Sequence, residues 1–254
     1  MKKIISTIVV LFAIVSLNAQ QNYLKYEFMK VLPGQDFEKL EKSWESYHKE
    51  MMKAGIINMH RVWKVLPGNN VDYDYIVSTS YNNYADALGI GKSISIADFK
   101  AKYPEDYNVM YNTTYATRTM LRDVILSVEL GLSDSNMSVV PGKTLLNMMF
   151  VKTKNDTYAA AEIKFSKKWH QYLIDKKRKD AYYISNVVGS TGIDTDFSYV
   201  LSHLYKNLDQ YTLENTTNDI KFTAKEQADF QLLTASRTLT KSLMLLNVMN
   251  LQKN

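Results

Sequence analysis

The feature that most constrains this chain is an internal repeat. The segment YATRTMLRDVILSVEL at 115–130 is written again, with changes, as TASRTLTKSLMLLNVM at 234–249. At a fixed separation of 119 residues, the identical pairs are Ala116/Ala235, Arg118/Arg237, Thr119/Thr238 and Leu126/Leu245. Two copies of a unit this long predict a duplicated domain rather than a short-period solenoid.

A second pair of segments extends the repeat toward the N-terminus. The segment VDYDYIVSTSYNNY at 71–84 aligns with TDFSYVLSHLYKNL at 195–208, at a separation of 124 residues. The first copy therefore holds five more residues between the two landmarks, and GIGKS at 89–93 is a candidate for part of that excess. GIGKS lacks the first glycine of a phosphate-binding loop, so we interpret it as a surface insertion.

Both copies show the same order of predicted elements. Hydrophobic spacing and Pro-Gly turns indicate strand, helix, strand, strand, helix and strand, which is the ferredoxin-like unit. In the second copy, Thr223 and Glu226 have the spacing of a capping box at the start of the second helix. In the first copy the elements are predicted at 23–34, 35–54, 56–68, 71–81, 104–117 and 119–130, with 84–103 unassigned.

The predicted strands carry apolar residues on both faces. In 56–65, Met59 and Trp63 share one face with Arg61, while Val62 lies on the other face. An antiparallel sheet with helices on one side and water on the other would alternate apolar and polar residues. The second face therefore needs cover, either from the sister repeat or from another copy of the chain.

These features resemble the dimeric α+β barrel superfamily, which includes antibiotic-biosynthesis-type monooxygenases, chlorite-dismutase-like haem proteins and NIPSNAP-like proteins. The resemblance rests on the element order, the duplication, and a first helix with an aromatic residue near a histidine (WESYH and WH). It implies an α+β fold in which two ferredoxin-like repeats close a barrel within one chain. The predicted organisation is a signal peptide at 1–19, repeat 1 at 20–131, a linker at 132–143 and repeat 2 at 144–254.

The N-terminus predicts export. Lys2 and Lys3 precede a largely apolar run that ends before Ala19, which is the pattern of a cleavable signal peptide. That run is too short to span a bilayer comfortably, and no other segment is apolar enough to do so. The chain has no cysteine, so a lipid-anchored cysteine and disulfides are both excluded. We expect a soluble protein of the periplasm or the extracellular space.

Charge does not predict a nucleic-acid partner. The formal net charge is +5, and the basic residues form no concentrated stripe. The densest basic run, KKRK at 176–179, falls at the predicted end of a helix, where we interpret it as a solvated helix terminus.

Two histidines and two aspartates are the candidate catalytic residues. His48 and His170 fall at similar points of the two first helices, where either could act as a base. Asp74 and Asp123 fall within apolar strands, where a buried carboxylate needs a partner. No histidine pair has helical metal-ligand spacing, so no metal site is expected. No cofactor is expected either, although a helix histidine that pointed into the barrel could ligate haem iron.

Aromatic residues and methionines supply the candidate binding residues. With 18 Tyr, 9 Phe, 3 Trp and 12 Met, the chain can either fill a closed barrel or line a pocket for a flat apolar molecule. Arg61 and Arg118 are also the expected partners of the strand aspartates. The candidate ligand-binding residues are Tyr73, Tyr75, Trp63, Arg61, Tyr182, Tyr199, Arg118 and Arg237.

The repeated arginines, Arg118 and Arg237, allow two interpretations. Each falls at the end of the second helix of its repeat, where a cation would meet unpaired carbonyls and the negative end of the helix dipole. This structural interpretation is the leading one, and paired anion-binding arginines at the barrel mouth are the alternative.

Three functional hypotheses follow from the sequence. The leading one is an exported protein that binds a small apolar or aromatic molecule in a barrel cavity. The second is a cofactor-independent oxygenase or isomerase that uses a strand carboxylate or a helix histidine as proton acceptor. The third is a protein-interaction module of the cell envelope. A monomer with an internal pseudo-dimer and a homodimer are both compatible with the sequence.

Overall fold

The computed structural model of the chain describes residues 22–191, 196–216 and 221–253. The predicted signal peptide at 1–19 lies outside the described residues. Repeat 1 contains β1 (Tyr23–Val31), α1 (Phe37–Lys53), β2 (Ile57–Val65), β3 (Tyr75–Tyr81), α2 (Tyr84–Ala87), α3 (Ile96–Lys102), α4 (Pro104–Thr117) and β4 (Arg118–Ser133). Repeat 2 contains β5 (Leu145–Thr153), α5 (Tyr158–Asp175), β6 (Ala181–Thr191), β7 (Tyr199–Tyr205), α6 (Leu208–Thr216), α7 (Ala224–Ala235) and β8 (Arg237–Gln252).

Local signals in the sequence set the helix ends. The side chain of Asp36 caps α1 by accepting a hydrogen bond from the backbone N–H of Lys39. Pro104 occupies the first turn of α4, where its missing N–H costs nothing. The predicted capping box at the start of α7 is confirmed, with Thr223 and Glu226 each accepting from the other's backbone. Among the residues that the structure describes, no helix is long and apolar enough to cross a membrane.

Eight antiparallel strands close a barrel in the order β1–β3–β2–β8–β5–β7–β6–β4, with β4 returning to β1. The two 16-residue strands, β4 and β8, join the repeats. Residues 118–127 of β4 pair with β1, and residues 123–133 pair with β6 of the other repeat. In the same way β8 pairs first with β5 and then with β2. The sister repeat therefore covers the second sheet face, and the fold is the predicted pair of ferredoxin-like units in an internal barrel.

The strands separate two hydrophobic regions. The barrel interior is one cluster, in which Trp63 of β2 is packed, while the adjacent Val62 lies on the outer face against α1. Separate clusters fill the space between the sheet and the helices of each repeat. The predicted face assignment of β2 is therefore confirmed for this pair.

One end of the barrel is filled with aromatic rings. The Phe28 ring lies 4.9 Å from that of Tyr73 and 6.2 Å from that of Phe150, centroid to centroid. Phe197, the repeat-2 counterpart of Tyr73, packs 4.7 Å from Phe150. The Arg122 guanidinium lies 4.5 Å from the Phe28 centroid, where it can make a cation–π contact. This end of the interior is core rather than binding site.

The unassigned stretch 84–103 forms α2 and α3. α2 begins at Tyr84, the position equivalent to Leu208 at the start of α6, whereas the described residues of repeat 2 contain no counterpart of α3. Phe99 of α3 is only 3% exposed and fills the space between α1 and α4, with its ring 5.3 Å from that of Tyr47. The GIGKS turn closes on a carboxylate, because Asp86 Oδ1 accepts a hydrogen bond from the Lys92 backbone N–H at 2.7 Å. That contact fits a folded insertion and not a phosphate loop.

The connection between repeats covers part of the other end of the barrel. β4 ends at Ser133, two residues inside the segment predicted as a linker, and β5 begins at Leu145. Val139 of this connection is buried in the barrel core, and Met137 packs against that core. Asn250 of β8 donates a side-chain hydrogen bond to the Val139 carbonyl at 3.0 Å and holds the segment in place.

Candidate ligand-binding site

A cavity of about 510 Å³ occupies the end of the barrel that the aromatic rings leave open. The alternation of β2 directs Met59, Arg61 and Trp63 into this space. The full lining is Asn22, Leu24, Tyr26, Asn58, Met59, Arg61, Trp63, Ser78, Ser80, Val128, Met137, Leu146, Tyr183, Ser202, Leu204, Gln252 and Lys253. Nine of the seventeen lining residues are apolar or aromatic and eight are polar or charged, a mixture that suits a small-molecule site.

The polar groups of the cavity are held by neighbouring strands. Trp63 Nε1 donates to the Ser78 hydroxyl at 3.0 Å. The hydroxyl of Tyr26 is close enough to Ser202 to interact, and burial raises the pKa of Tyr26. Burial also raises the pKa of Tyr183, so both phenols stay protonated and remain hydrogen-bond donors at neutral pH.

Arg61 is the buried charged residue of the cavity wall and is only 7% exposed, whereas Lys253, the other charged lining residue, is exposed. Its Nε donates to Asn250 Oδ1 at 2.9 Å, and its Nη2 donates to Gln252 Oε1 at 3.0 Å. Burial lowers the pKa of Arg61, with the phenols of Tyr183 and Tyr26 acting in the opposite direction. Neutral amide oxygens hold the guanidinium, and no described carboxylate forms a salt bridge with it.

The cavity lies across the pseudo-twofold relation of the repeats. Ser78 and Ser202 are equivalent at the separation of 124 residues, and both line it. Arg61 and Tyr183 occupy equivalent places on β2 and β6, and both project into the same space. Equivalent positions of the two repeats thus line the same cavity, and at one of these pairs the residue types differ.

Several predicted binding residues do not line this cavity. Trp63 and Arg61 do, whereas Tyr73 belongs to the aromatic core at the filled end. Tyr75, Tyr182 and Tyr199 lie on the helix side of the barrel. The physical reason is the strand alternation: β3 begins at Tyr75 and turns Ser78 and Ser80 inward, which leaves its tyrosines under the helices.

A buried polar cluster lies under α5 in repeat 2 and is built around Lys179, whose side chain is fully buried. The Lys179 ammonium lies 3.0 Å from His170 Nδ1, 2.8 Å from His203 Nδ1 and 3.0 Å from Glu214 Oε1. The His170 ring stacks on Tyr182 at 3.6 Å between centroids. Burial lowers the pKa of Lys179 to about 8, against the raising effect of Glu214. The KKRK run is therefore not wholly solvated: Lys179 points into the protein.

Glu162 of α5 completes this cluster. Its carboxylate accepts hydrogen bonds from Ser166 at 2.7 Å and from the Tyr182 hydroxyl at 3.1 Å. Arg237 Nη1 donates to the other oxygen of the same carboxylate. The result is an ion pair in which the carboxylate of Glu162 also accepts hydrogen bonds from two hydroxyl groups.

Repeat 1 has a related but less complete cluster under α1. The His48 ring stacks on His60 at 3.5 Å, and His60 Nε2 lies 3.5 Å from Glu41 Oε2. His60 Nδ1 contacts the Thr79 hydroxyl at 3.1 Å. Burial lowers the pKa of His60 to about 3 and raises the pKa of Glu41. Nε of Arg118 is buried with no hydrogen-bond partner among the described atoms.

The repeated arginines do not cap the helix carbonyls with their side chains. Arg237 reaches back to Glu162 on the first helix of its repeat, and Arg118 Nη1 approaches Met29 Sδ at 3.1 Å. Neither guanidinium lines the barrel cavity. The leading interpretation from sequence, in which each arginine side chain contacts the carbonyls at the helix terminus, is therefore wrong. Both arginines make contacts within the fold instead.

The two strand aspartates are placed differently. Asp74 lies just before β3 with its side chain 39% exposed, and it accepts from the Val31 backbone N–H at 2.8 Å and from Lys30 at 3.2 Å. The expectation that Asp74 is a buried strand carboxylate is wrong. Asp123 is buried as expected, but its ion-pair partner is Lys25, at 2.8 Å, and not an arginine. Neither aspartate lines the cavity.

The histidines do not fit the axial ligand of a haem group. His48 and His170 are stacked on strand side chains under the helices, and His170 Nδ1 is already hydrogen-bonded to Lys179. No histidine lines the barrel cavity. In the described part of the chain, no group of three or more His, Asp or Glu side chains is arranged to hold a metal ion.

Sequence reasoning missed several residues that the structure brings together. Tyr26, Ser78, Tyr183 and Ser202 line the cavity, and Lys179 centres the repeat-2 cluster. Tyr183 could have been found from the sequence, because the repeat makes its position equivalent to that of Arg61. Lys179 gave no such signal, since a lysine at the end of a basic run usually faces water.

Comparison with solved structures supports the fold. No protein-family model matches the chain, and no curated protein sequence matches it. A candidate monooxygenase from Fusobacterium nucleatum aligns over 94% of this chain and 97% of its own, with a TM-score of 0.61 and 10% identity. A candidate monooxygenase from Lactobacillus acidophilus covers 91% and 96%, with a TM-score of 0.57 and 8% identity. An anthrone oxidase-like protein covers 92% and 93%, with a TM-score of 0.54 and 12% identity.

These similarities extend over nearly the whole of each chain at very low identity. They confirm that the chain has the dimeric α+β barrel fold that the sequence resemblance implied. At such identities the shared property is the fold, and the reaction of a neighbour does not follow for this chain.

Proposed function

We propose that this protein binds a small, largely apolar molecule in the barrel cavity. The observation that carries the proposal is the asymmetry of the interior: rings fill one end, while the other end holds a space of about 510 Å³. A filled interior would have served stability alone, because protein cores normally leave few voids larger than a water molecule. A wall that combines apolar and aromatic side chains with polar groups suits ligand binding.

A cofactor-independent oxygenase or isomerase is the second candidate. It is favoured by two structural neighbours described as candidate monooxygenases and one described as anthrone oxidase-like. Such a reaction needs a proton acceptor next to the bound molecule. The described lining contains no histidine, aspartate or glutamate, so the acceptors proposed from sequence do not reach this cavity. Binding without chemistry is therefore the better supported function.

We also propose that the mature protein is exported. This proposal rests on the charged and apolar pattern of residues 1–19 alone. N-terminal sequencing of the protein recovered from cell fractions tests it. A mature N-terminus near Gln20 outside the cytoplasm is expected, and an intact Met1 in the cytoplasm would contradict it.

Uptake of a neutral apolar dye tests the binding proposal. N-phenyl-1-naphthylamine, which fluoresces in apolar surroundings, should bind the wild type with one saturable site. Ser202→Phe places a ring in the cavity and should weaken binding about tenfold or more, because it removes the space the dye needs. Ser242→Phe, on an exposed position of β8, is the matched control and should bind like the wild type. Equal binding by all three proteins would contradict a site in the barrel.

A further inference from the structure

The chemical class of the ligand follows from the charge balance of the cavity, and this step rests on the proposed function. Arg61 and Lys253 are the charged residues of the described lining, and no acid accompanies them. We propose that the cavity selects organic acids: molecules with an apolar body and one anionic group, which Arg61 binds. Carboxylates and sulfonates are the simplest members of this class.

Burial of Arg61 favours an anionic partner in energetic terms. Taking a guanidinium out of water carries a cost that a paired anion offsets, whereas neutral partners offset it only in part. Lys179, which is also buried, is paired with Glu214, and the partly buried Arg237 is paired with Glu162. Arg61 has only the amide oxygens of Asn250 and Gln252. An incoming anion would supply the missing countercharge.

The surroundings of Arg61 add donors for the same anion. Tyr183 and Tyr26 line the same cavity as Arg61, and their phenols are hydrogen-bond donors on that wall. Both phenols are protonated at neutral pH and can donate. A guanidinium and hydroxyls facing one cavity form a typical setting for a carboxylate or sulfonate, because charge-assisted hydrogen bonds are stronger than neutral ones.

The rest of the wall selects the apolar body. Trp63 presents its ring to the cavity while its only donor, Nε1, is already used by Ser78. Leu24, Leu146, Leu204 and Met137 complete an apolar wall. A strongly hydrophilic anion such as inorganic phosphate would leave this wall without contacts, so the expected ligands are amphiphilic.

The competing interpretation is that Arg61 only ties β2 to the end of β8. Its two hydrogen bonds do connect these strands. A structural role predicts that any loss of these bonds disturbs all ligands equally. A binding role predicts that removing the charge weakens anions alone, while removing an amide partner and leaving the guanidinium in place does not.

Two dyes that differ by a single acid group separate these interpretations. N-phenyl-1-naphthylamine is neutral, and 8-anilinonaphthalene-1-sulfonate carries the same rings with a sulfonate. Arg61→Met should weaken the sulfonate dye about tenfold or more and change the neutral dye less than about twofold, as expected when a hydrogen bond to a charged group is lost. Arg61→Lys should keep most of the sulfonate binding. Asn250→Leu removes an amide partner of Arg61 that does not line the cavity, and any effect it has should be the same for both dyes.

The outcomes are distinct. If Arg61→Met weakens both dyes by the same factor, or neither, the organic-acid inference is overturned while the cavity remains a binding site. If the wild type binds neither dye, or Ser202→Phe binds both as well as the wild type, the proposed function itself fails. Should Arg61→Met not fold, as judged by thermal melting, Arg61→Gln and Lys64→Met provide the comparison, because Lys64 lies on the same strand outside the cavity lining. Loss of sulfonate binding in Arg61→Gln and its retention in Lys64→Met are then expected, and equal behaviour of the two would overturn the inference.

Discussion

Arg61 of β2 and Tyr183 of β6 hold equivalent positions in the two repeats, and both project into one cavity. Two identical repeats would have the same residue type at both positions. Here the repeats have diverged, so that one position carries a buried cation and the other a phenol. The two sides of the cavity therefore differ chemically, which would suit a ligand with two chemically different ends.

Tyr183→Phe should reduce binding of the sulfonate dye about threefold to tenfold, because a neutral donor contributes about 0.5–1.5 kcal/mol. The neutral dye should be unaffected. Tyr75→Phe removes a phenol that donates to Glu38 on the helix side, and so it is the matched control. Dye titrations of the two variants compare them directly. A Tyr183→Phe variant that binds the sulfonate dye like the wild type would remove this residue from the site.

The repeated arginines should differ in their effect on stability. Arg237→Met leaves the buried Glu162 carboxylate without its ion-pair partner, which should cost about 3 kcal/mol of unfolding free energy. Arg118→Met replaces a guanidinium whose nearest acceptor is a thioether, and should cost less than about 1 kcal/mol. Urea unfolding at neutral pH measures both. Equal losses would show that the arginines serve the same role despite their different contacts.

Lys179 should tether α6 to the body of repeat 2, because Glu214 of α6 pairs with it. Lys179→Met should therefore speed amide hydrogen exchange in α6 while leaving exchange in the barrel strands unchanged. Glu214→Gln should give the same pattern. Unchanged exchange in α6 for both variants would show that other contacts hold this helix.

The same lysine should make stability rise at alkaline pH. Burial lowers the folded-state pKa of Lys179 to about 8, below its ordinary value of 10.5, so the unfolded chain binds this proton more tightly than the folded protein. The free energy of unfolding should then increase between pH 8 and pH 10.5, by up to about 1.4 kcal/mol per pH unit. Lys179→Met should lack this increase, and an identical pH profile in the variant would contradict the assignment.

The four histidines should destabilise the protein in acid. Burial lowers the folded-state pKa of His48, His60, His170 and His203 below the ordinary value of 6.5. Their contribution to stability is complete above pH 6.5 and is lost as the pH falls, because the unfolded chain takes up protons first. Each histidine contributes a slope of about 1.4 kcal/mol per pH unit. His60→Gln should reduce the dependence of the unfolding free energy on pH by the contribution of one histidine. Urea unfolding between pH 6.5 and pH 4.5 measures this dependence. An unchanged dependence in the variant would argue against neutral burial of His60.

Much of the fold could be predicted because hydrophobic periodicity and turn residues are local signals. The repeat, the element order and the helix from Pro104 to Thr117 all came from such signals. The start of β3 did not, since nothing local separates Tyr73, in the barrel core, from Tyr75, under α1.

The site was less predictable because large aromatic residues are useful on both sides of a barrel wall. From sequence, Tyr75, Tyr182 and Tyr199 are candidates either for a pocket or for core packing, and in the structure they pack under helices that need apolar partners as much as the interior does. Arg61 was identified because an arginine on an apolar strand face stands out. Lys179 could not be, since only the tertiary arrangement of α5, β7 and α6 shows why a lysine is buried there.

Native mass spectrometry of freshly purified protein can show whether the barrel cavity holds a small molecule, with Ser202→Phe as the comparison. The wild type should retain an added mass that denaturation releases, and the released compound should be an organic acid. Ser202→Phe should carry none of it. A wild type with the mass of the polypeptide alone, even after incubation with either naphthylamine dye, would show that the cavity does not bind such a molecule.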